Sequence, residues 1–188
     1  GLNYYSRMHV KGHLNSKTPF TFEVRKNDLQ TDMNYPLYAE GFYRALKTID
    51  QLKVPIYVTE NGVADKNDNI RGEFISKYLF AMHKALNEGI DIRGYFYWSL
   101  IDNFEWAEGY NMKFGLYEVD FKTQERILRP GSKAFTDIIN KKGFDKRGFL
   151  VSIGDDAPDF KMKFSNGKVS RLSDYRGKIV VLQFTASW

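Results

Sequence analysis

The chain has 188 residues, is 43% hydrophobic and 16% aromatic, and carries a net charge of +5, a balance that suits one large or two small packed domains and excludes general disorder. It has no cysteine, which excludes disulfides, thiolate metal sites and thiol chemistry in these residues, and no apolar run near the ~18 residues of a membrane span, so no membrane partner is expected. The positive excess lies in residues 141–188, with ten Lys/Arg against five Asp/Glu and eighteen of each before them; no basic cluster there interleaves with aromatics, so no nucleic acid partner is expected.

In chain order, Gly1-Leu2-Asn3-Tyr4-Tyr5-Ser6 reads as a short strand with polar side chains at its end. Residues 7–34 read as a polar, irregular loop. His9 and His13 have the spacing of a helical metal pair, but Gly12 between them argues against a helix, and no metal is expected. Phe42, Leu46 and Ile49 predict an amphipathic helix over Ala39–Ile49. The apolar, β-branched run from Val54 ends on Glu60, with the turn signal Asn61-Gly62 behind it. A buried strand therefore delivers Glu60 to its C-terminal tip, where parallel α/β folds place reactive groups. Asp65–Asn69 has the look of a calcium loop, but Ile70 and Ser76 stand where Gly and Glu are needed, so it reads as a solvated loop.

Residues 71–88 predict a helix with Phe74, Tyr78, Met82 and Leu86 near one face, closed by Gly89. His83 on it reads as a surface or packing residue. A second strand, Ile92–Leu100, leads into Ile101-Asp102-Asn103-Phe104-Glu105-Trp106, so two strands present carboxylates and large aromatics to one rim. Gly115–Asp120 is strand-like and Ala134–Ile139 a final helix. This rhythm of about three βα units implies an α/β fold with a parallel sheet. Beyond Lys141-Lys142-Gly143, Asn166-Gly167 signals a hairpin and Ile179–Phe184 a buried strand.

The segments PIYVTENG (55–62), GYFYWSLIDNFEWAEGY (94–110) and KFGLYEVD (113–120) resemble the C-terminal part of glycoside hydrolase family 1, the β-glucosidase and β-galactosidase family. The resemblance covers roughly residues 1–140. It implies the last three units of a (β/α)8 TIM barrel over residues 1–142, with 143–152 a linker. It also implies retaining hydrolysis of β-glycosides, without cofactor or metal, through two carboxyl groups about 5 to 5.5 Å apart. Carried over, Glu60 is the nucleophile, with Asn3 and Tyr5 beside it. Trp98 is the platform under the sugar ring, Glu105 and Trp106 bind sugar hydroxyls, and Phe114 borders the C6 hydroxymethyl. A carboxylate at Glu105 repels phosphate, so the expected small-molecule partner is an unphosphorylated β-glycoside.

Two departures stand out. The family has Gly-Trp where this chain has Asn34-Tyr35, and its acid/base Glu lies in an Asn-Glu-Pro motif that residues 1–188 do not contain. Asp102, Glu105 and Glu108 are substitutes on sequence grounds only, and the isolated chain is expected to show no useful turnover. Any targeting signal would lie upstream of Gly1; a cytoplasmic location is favoured and the oligomeric state is open. Residues 153–188 resemble the first strands of a thioredoxin-like redoxin, whose reactive cysteine follows the equivalent of Ala186-Ser187-Trp188. The competing functions are thus thiol-disulfide oxidoreduction, through a cysteine beyond Trp188, and non-catalytic sugar binding.

Overall fold

A computed structural model describes residues 1–14, 17–25, 28–141, 143, 159–164 and 166–177. The chain divides into two compact units, Gly1–Phe144 and Asp145–Trp188. The first contains β1 (Leu2–Asn3), the hairpin β2 (His9–Gly12) and β3 (Phe20–Glu23), α1 (Ala39–Asp50), β4 (Ile56–Asn61), α2 (Arg71–Asn87), β5 (Ile92–Tyr97), a second hairpin β6 (Tyr117–Val119) and β7 (Arg126–Leu128), and α3 (Lys133–Asn140).

Strands β1, β4 and β5 form a parallel sheet in that order, with Asn3 opposite Glu60 and Tyr57 opposite Gly94. Strand residues alternate sides, so Ile56 and Val58 turn into the core while Tyr57 and Thr59 stay exposed. The core is completed by Phe42 and Leu46 of α1 and by Phe74, Ile75, Tyr78 and Leu79 of α2. Tyr78 stacks on Phe74 at 4.0 Å between ring centroids and on Phe42 at 5.8 Å. Its hydroxyl donates to the Tyr5 carbonyl at 3.0 Å and accepts the Tyr38 N–H at 2.9 Å. An aromatic core residue therefore also pins the chain where it leaves β1.

Four expectations are corrected. Residues 7–34 are not irregular throughout: Val10, Phe20 and Phe22 alternate with Lys11, Thr21 and Glu23, and this two-residue period pairs His9 with Glu23 and Val10 with Phe22 in an antiparallel hairpin. Gly115–Asp120 does not add a strand to the parallel sheet. Its Tyr117–Val119 part pairs antiparallel with β7 and meets the chain after β5 only through a parallel bridge from Tyr117 to Ile101, while the buried Asp102 carboxylate takes the Gly115 and Val119 N–H groups at 3.0 and 3.4 Å. On α2 the packed face includes Ala81 and Ala85, whereas Leu86 is 39% exposed, rotated away from the core by one residue. Asp65 is buried, since its carboxylate receives the N–H groups of Asn69, Ile70 and Arg71 at 3.1, 2.8 and 2.8 Å; it caps α2 and is not solvated loop.

Within the second unit, β8 (Lys161–Lys163) and β9 (Val169–Arg171) pair antiparallel around the Asn166-Gly167 turn, with Gly167 at φ 80°. The Asp174 carboxylate receives the Arg171 N–H at 2.7 Å and the Ser170 hydroxyl at 2.8 Å. The expected segments at 153–158 and 178–188, the buried strand included, lie outside the described residues.

The buried phenols make the first unit sensitive to base. Burial, with Tyr38 beside it, pushes the Tyr4 phenol from 10.0 up to about 12, and burial also raises Tyr78 and Tyr95. The folded state keeps protons that the unfolded chain releases, so this stabilisation is complete below pH 10 and is lost as pH rises toward 12. Thermal melting should fall steeply above pH 10, with the part of the phenolate absorbance that belongs to the buried phenols rising only as the unit unfolds; a melting temperature that stays flat to about pH 12 contradicts this.

Candidate active site

The tip of β4 is held from both sides. The Tyr4 N–H donates to the Glu60 carbonyl at 3.0 Å and the Trp98 N–H to the Asn61 carbonyl at 2.9 Å. Asn61 is fully buried; its amide donates to the Tyr4 carbonyl at 2.6 Å and accepts the Tyr95 hydroxyl at 2.8 Å. One side chain thus spans all three strands directly behind Glu60.

The Tyr5 hydroxyl donates to Glu60 Oε2 at 2.8 Å. Burial, the hydrogen bond to Glu60 and the charges of Glu60 and Glu105 hold this phenol far above its ordinary value. Tyr5 is therefore a neutral donor wherever Glu60 is ionised. Phe114, buried, meets the Tyr5 ring edge-on at 6.2 Å. Asn3 lies opposite Glu60 in register, but its side-chain carbonyl accepts the Thr59 hydroxyl at 2.6 Å.

Trp98 follows β5, and the Trp98-Ser99 peptide is cis. Glu105 is near enough for its charge to act on Tyr5, and its Oε2 is buried with no hydrogen-bond partner among the described residues. Trp106 is 84% exposed and stands on the rim. Of the seven residues picked out from sequence, Glu60, Tyr5 and Phe114 are joined by direct contacts, Glu105 faces them electrostatically, Asn3 and Trp98 flank them through the backbone, and Trp106 lies outermost.

The substitute carboxylates separate clearly. Asp102 is buried and bonded to Arg129 at 2.9 Å as well as to the Gly115 and Val119 N–H groups, so it is a structural anchor and no candidate for acid/base work. Glu108 is exposed on the turn after Trp106. Among the described residues no cluster of three or more His, Cys, Asp or Glu could hold a metal ion. His9 pairs with Asp28 at 2.8 Å and His13 with Thr21 at 2.8 Å, each in a different direction.

Arg71 escaped the sequence reading. Its guanidinium, fully buried, donates to the carbonyls of Val63, Asp65, Lys113 and Phe114, to the Tyr97 hydroxyl and to Asp68, at 2.7 to 3.2 Å. The signal that could have found it is a cationic residue opening a helix, with Asp65 and Asp68 just before it.

Residues 1–144 match the model of Glycosyl hydrolase family 1, and residues 153–188 that of the AhpC/TSA family. The chain is 43% identical over 118 residues to a beta-galactosidase of Pyrococcus woesei, covering 62% of this chain and 23% of that protein. It is 35% identical over 156 residues to beta-glucosidase A of Thermotoga maritima, covering 77% of this chain and 35% of that one. Among solved structures, the beta-glycosidase from Pyrococcus horikoshii superposes with a TM-score of 0.71 at 39% identity, over 81% of this chain and 38% of that one. A beta-glucosidase from Thermotoga maritima in complex with azafagomine gives 0.68 at 34% identity, over 76% and 35%. The chain therefore spans between 23% and 38% of the length of these relatives, and its parallel sheet is a piece of their barrel. Over residues 1–144, the chain belongs to glycosyl hydrolase family 1.

Proposed function

We propose that this chain supplies the nucleophile side of a retaining β-glycosidase site acting on unphosphorylated β-glucosides, β-galactosides or similar small glycosides. The observation that carries the reading is the strand-tip carboxylate of Glu60 with the Tyr5 hydroxyl on one oxygen at 2.8 Å. With Oε2 held by Tyr5, Oε1 attacks the anomeric carbon, the bond to the aglycone oxygen breaks, and a glycosyl ester forms on Glu60. Water then cleaves the ester with net retention. Tyr5 keeps the carboxylate oriented and ionised. The Glu105 carboxylate, whose charge acts on Tyr5 beside Glu60, accepts a sugar hydroxyl. Trp98 offers a ring face to the sugar's C–H surface, with Trp106, Phe114 and Asn3 around it.

Protonation of the leaving oxygen needs a second carboxyl, which residues 1–188 do not supply in an Asn-Glu-Pro motif. The test therefore uses a leaving group that needs no proton, 2,4-dinitrophenyl 2-deoxy-2-fluoro-β-D-glucoside, whose fluorine slows release of the ester. Intact mass and peptide mapping should place the fluoroglucosyl group on Glu60, and Glu60→Gln should abolish it. Label elsewhere, or none, overturns the reading. Sugar binding that Trp98→Ala removes, with no label on Glu60, would favour a binding remnant. We also assign residues 153–188 to the start of a thioredoxin-like redoxin, a reading supported by the AhpC/TSA match and, in the described residues, by the Asn166-Gly167 hairpin.

A further inference from the structure

Two asparagines in the sequence stand before glycine, Asn61 and Asn166. Such a step carries a reaction of its own. Once base takes the proton of the glycine nitrogen, that nitrogen attacks the asparagine side-chain carbonyl carbon, the bond to the side-chain amide breaks, and ammonia leaves with a proton from solvent. The cyclic imide takes up water and opens to aspartate or isoaspartate, so water is exchanged for ammonia and no other reactant is needed. Glycine favours the attack because it brings no Cβ into the path.

The fold treats the two steps in opposite ways. Asn166 lies exposed on the turn between β8 and β9. Its side-chain oxygen accepts the Lys168 N–H at 3.0 Å, which wraps the side chain back over the Gly167 peptide and draws electron density from the carbonyl carbon under attack. A Cβ at Gly167 would meet nothing within 4 Å, so the approach is open. The Gly167 N–H is held by the Phe164 carbonyl at 2.9 Å, a single bond on an exposed turn that opens far more often than a core bond. Asn61, by contrast, is fully buried at the end of β4, out of reach of base and water. Its amide is bound on both sides, donating to the Tyr4 carbonyl at 2.6 Å and accepting the Tyr95 hydroxyl at 2.8 Å. An aspartate there would set a carboxylate oxygen against the Tyr4 carbonyl, and isoaspartate would lengthen the backbone where the Trp98 N–H meets the Asn61 carbonyl at 2.9 Å.

We propose that Asn166 is a site of spontaneous deamidation in the folded chain, whereas Asn61 is a latent one that reacts only when the first unit unfolds and then blocks its refolding. The test incubates the full chain in mildly alkaline buffer, with and without unfolding guanidinium chloride. Tryptic peptides 54–66 and 164–168 are followed by mass, with electron-transfer fragmentation to identify isoaspartate. In buffer Asn166 should convert, and Asn61 should lag behind it by about a hundredfold or more, since its reaction waits for unfolding. In guanidinium the two should convert at similar rates. After dilution, chains that refold, separated by size exclusion, should carry Asn61 as the amide and Asn166 in either form. Asn61→Asp made directly should likewise fail to refold, while Asn166→Asp should refold as the wild type does. Similar rates at the two asparagines in buffer, or an Asn166 peptide that stays intact there, overturn the proposal. So do refolded chains rich in deamidated Asn61, or an Asn61→Asp chain that refolds normally.

Discussion

Arg71→Met should cost the first unit about 3 to 5 kcal/mol, the largest loss expected from any single side chain in it. The guanidinium does what no local hydrogen bond can do. It gathers four carbonyls, one phenol and one carboxylate from the loop after Glu60, from the end of β5 and from the loop that carries Phe114. Removing it strands these acceptors in a dry region, and each orphaned buried acceptor costs about 1 to 3 kcal/mol unless water enters. The Asp68 charge loses its partner at 2.8 Å as well. Methionine fills most of the volume, so the loss reports hydrogen bonds more than packing. Arg71→Lys keeps the charge but has three donors at one point where arginine has five in a plane, so it should fall between wild type and Arg71→Met. Urea unfolding followed by circular dichroism measures both, and a loss under about 1 kcal/mol for Arg71→Met would contradict the account.

How much of this was legible in the sequence depends on how far apart the cooperating residues lie. Helices α1 and α2 and the strand ending at Glu60 follow from apolar period and turn residues within a dozen positions, and they stand where the pattern puts them. The β2–β3 hairpin is also local, but its alternation is interrupted by His9, Gly12 and His13, which gave it the look of a loop. Arg71 is different in kind: its acceptors lie between 3 and 43 residues away, and no window of sequence contains them together. Asp102 is a similar case, its partner Arg129 being 27 residues on. A carboxylate beside aromatics at a strand end can serve chemistry or serve the backbone. Only burial and partners separate Asp102, which holds the β6 segment, from Glu60, whose carboxylate takes the Tyr5 hydroxyl on one oxygen. Tyr5 was placed beside Glu60 by family resemblance; the physical cause of that placement is the bond from Tyr78 that fixes the chain just beyond β1.

Gly62→Ala should disable the site without touching any group that reacts. A Cβ at Gly62 would run into the Trp98 carbonyl oxygen and come within 2.7 Å of the Trp98 carbonyl carbon. Both are backbone atoms, so no side-chain rotation relieves the overlap, and the ends of β4 and β5 must part. The bond from the Trp98 N–H to the Asn61 carbonyl, at 2.9 Å, is the first to go. Asn61 is then pulled from Tyr95 or from Tyr4, which it now holds at 2.8 and 2.6 Å. Overpacking of this kind costs about 1 to 3 kcal/mol, or more where backbone opposes backbone. The effect on chemistry should be larger than that on folding, because a shift of about 1 Å between the proposed platform, Trp98, and the proposed nucleophile, Glu60, can cost on the order of a hundredfold in rate. Gly12→Ala provides the control, since a Cβ there meets nothing within 4 Å. Labelling of Glu60 by the fluoroglucoside should slow by about a hundredfold in Gly62→Ala and stay unchanged in Gly12→Ala. Normal labelling in Gly62→Ala would mean that the spacing between Trp98 and Glu60 does not set the rate of glycosyl transfer.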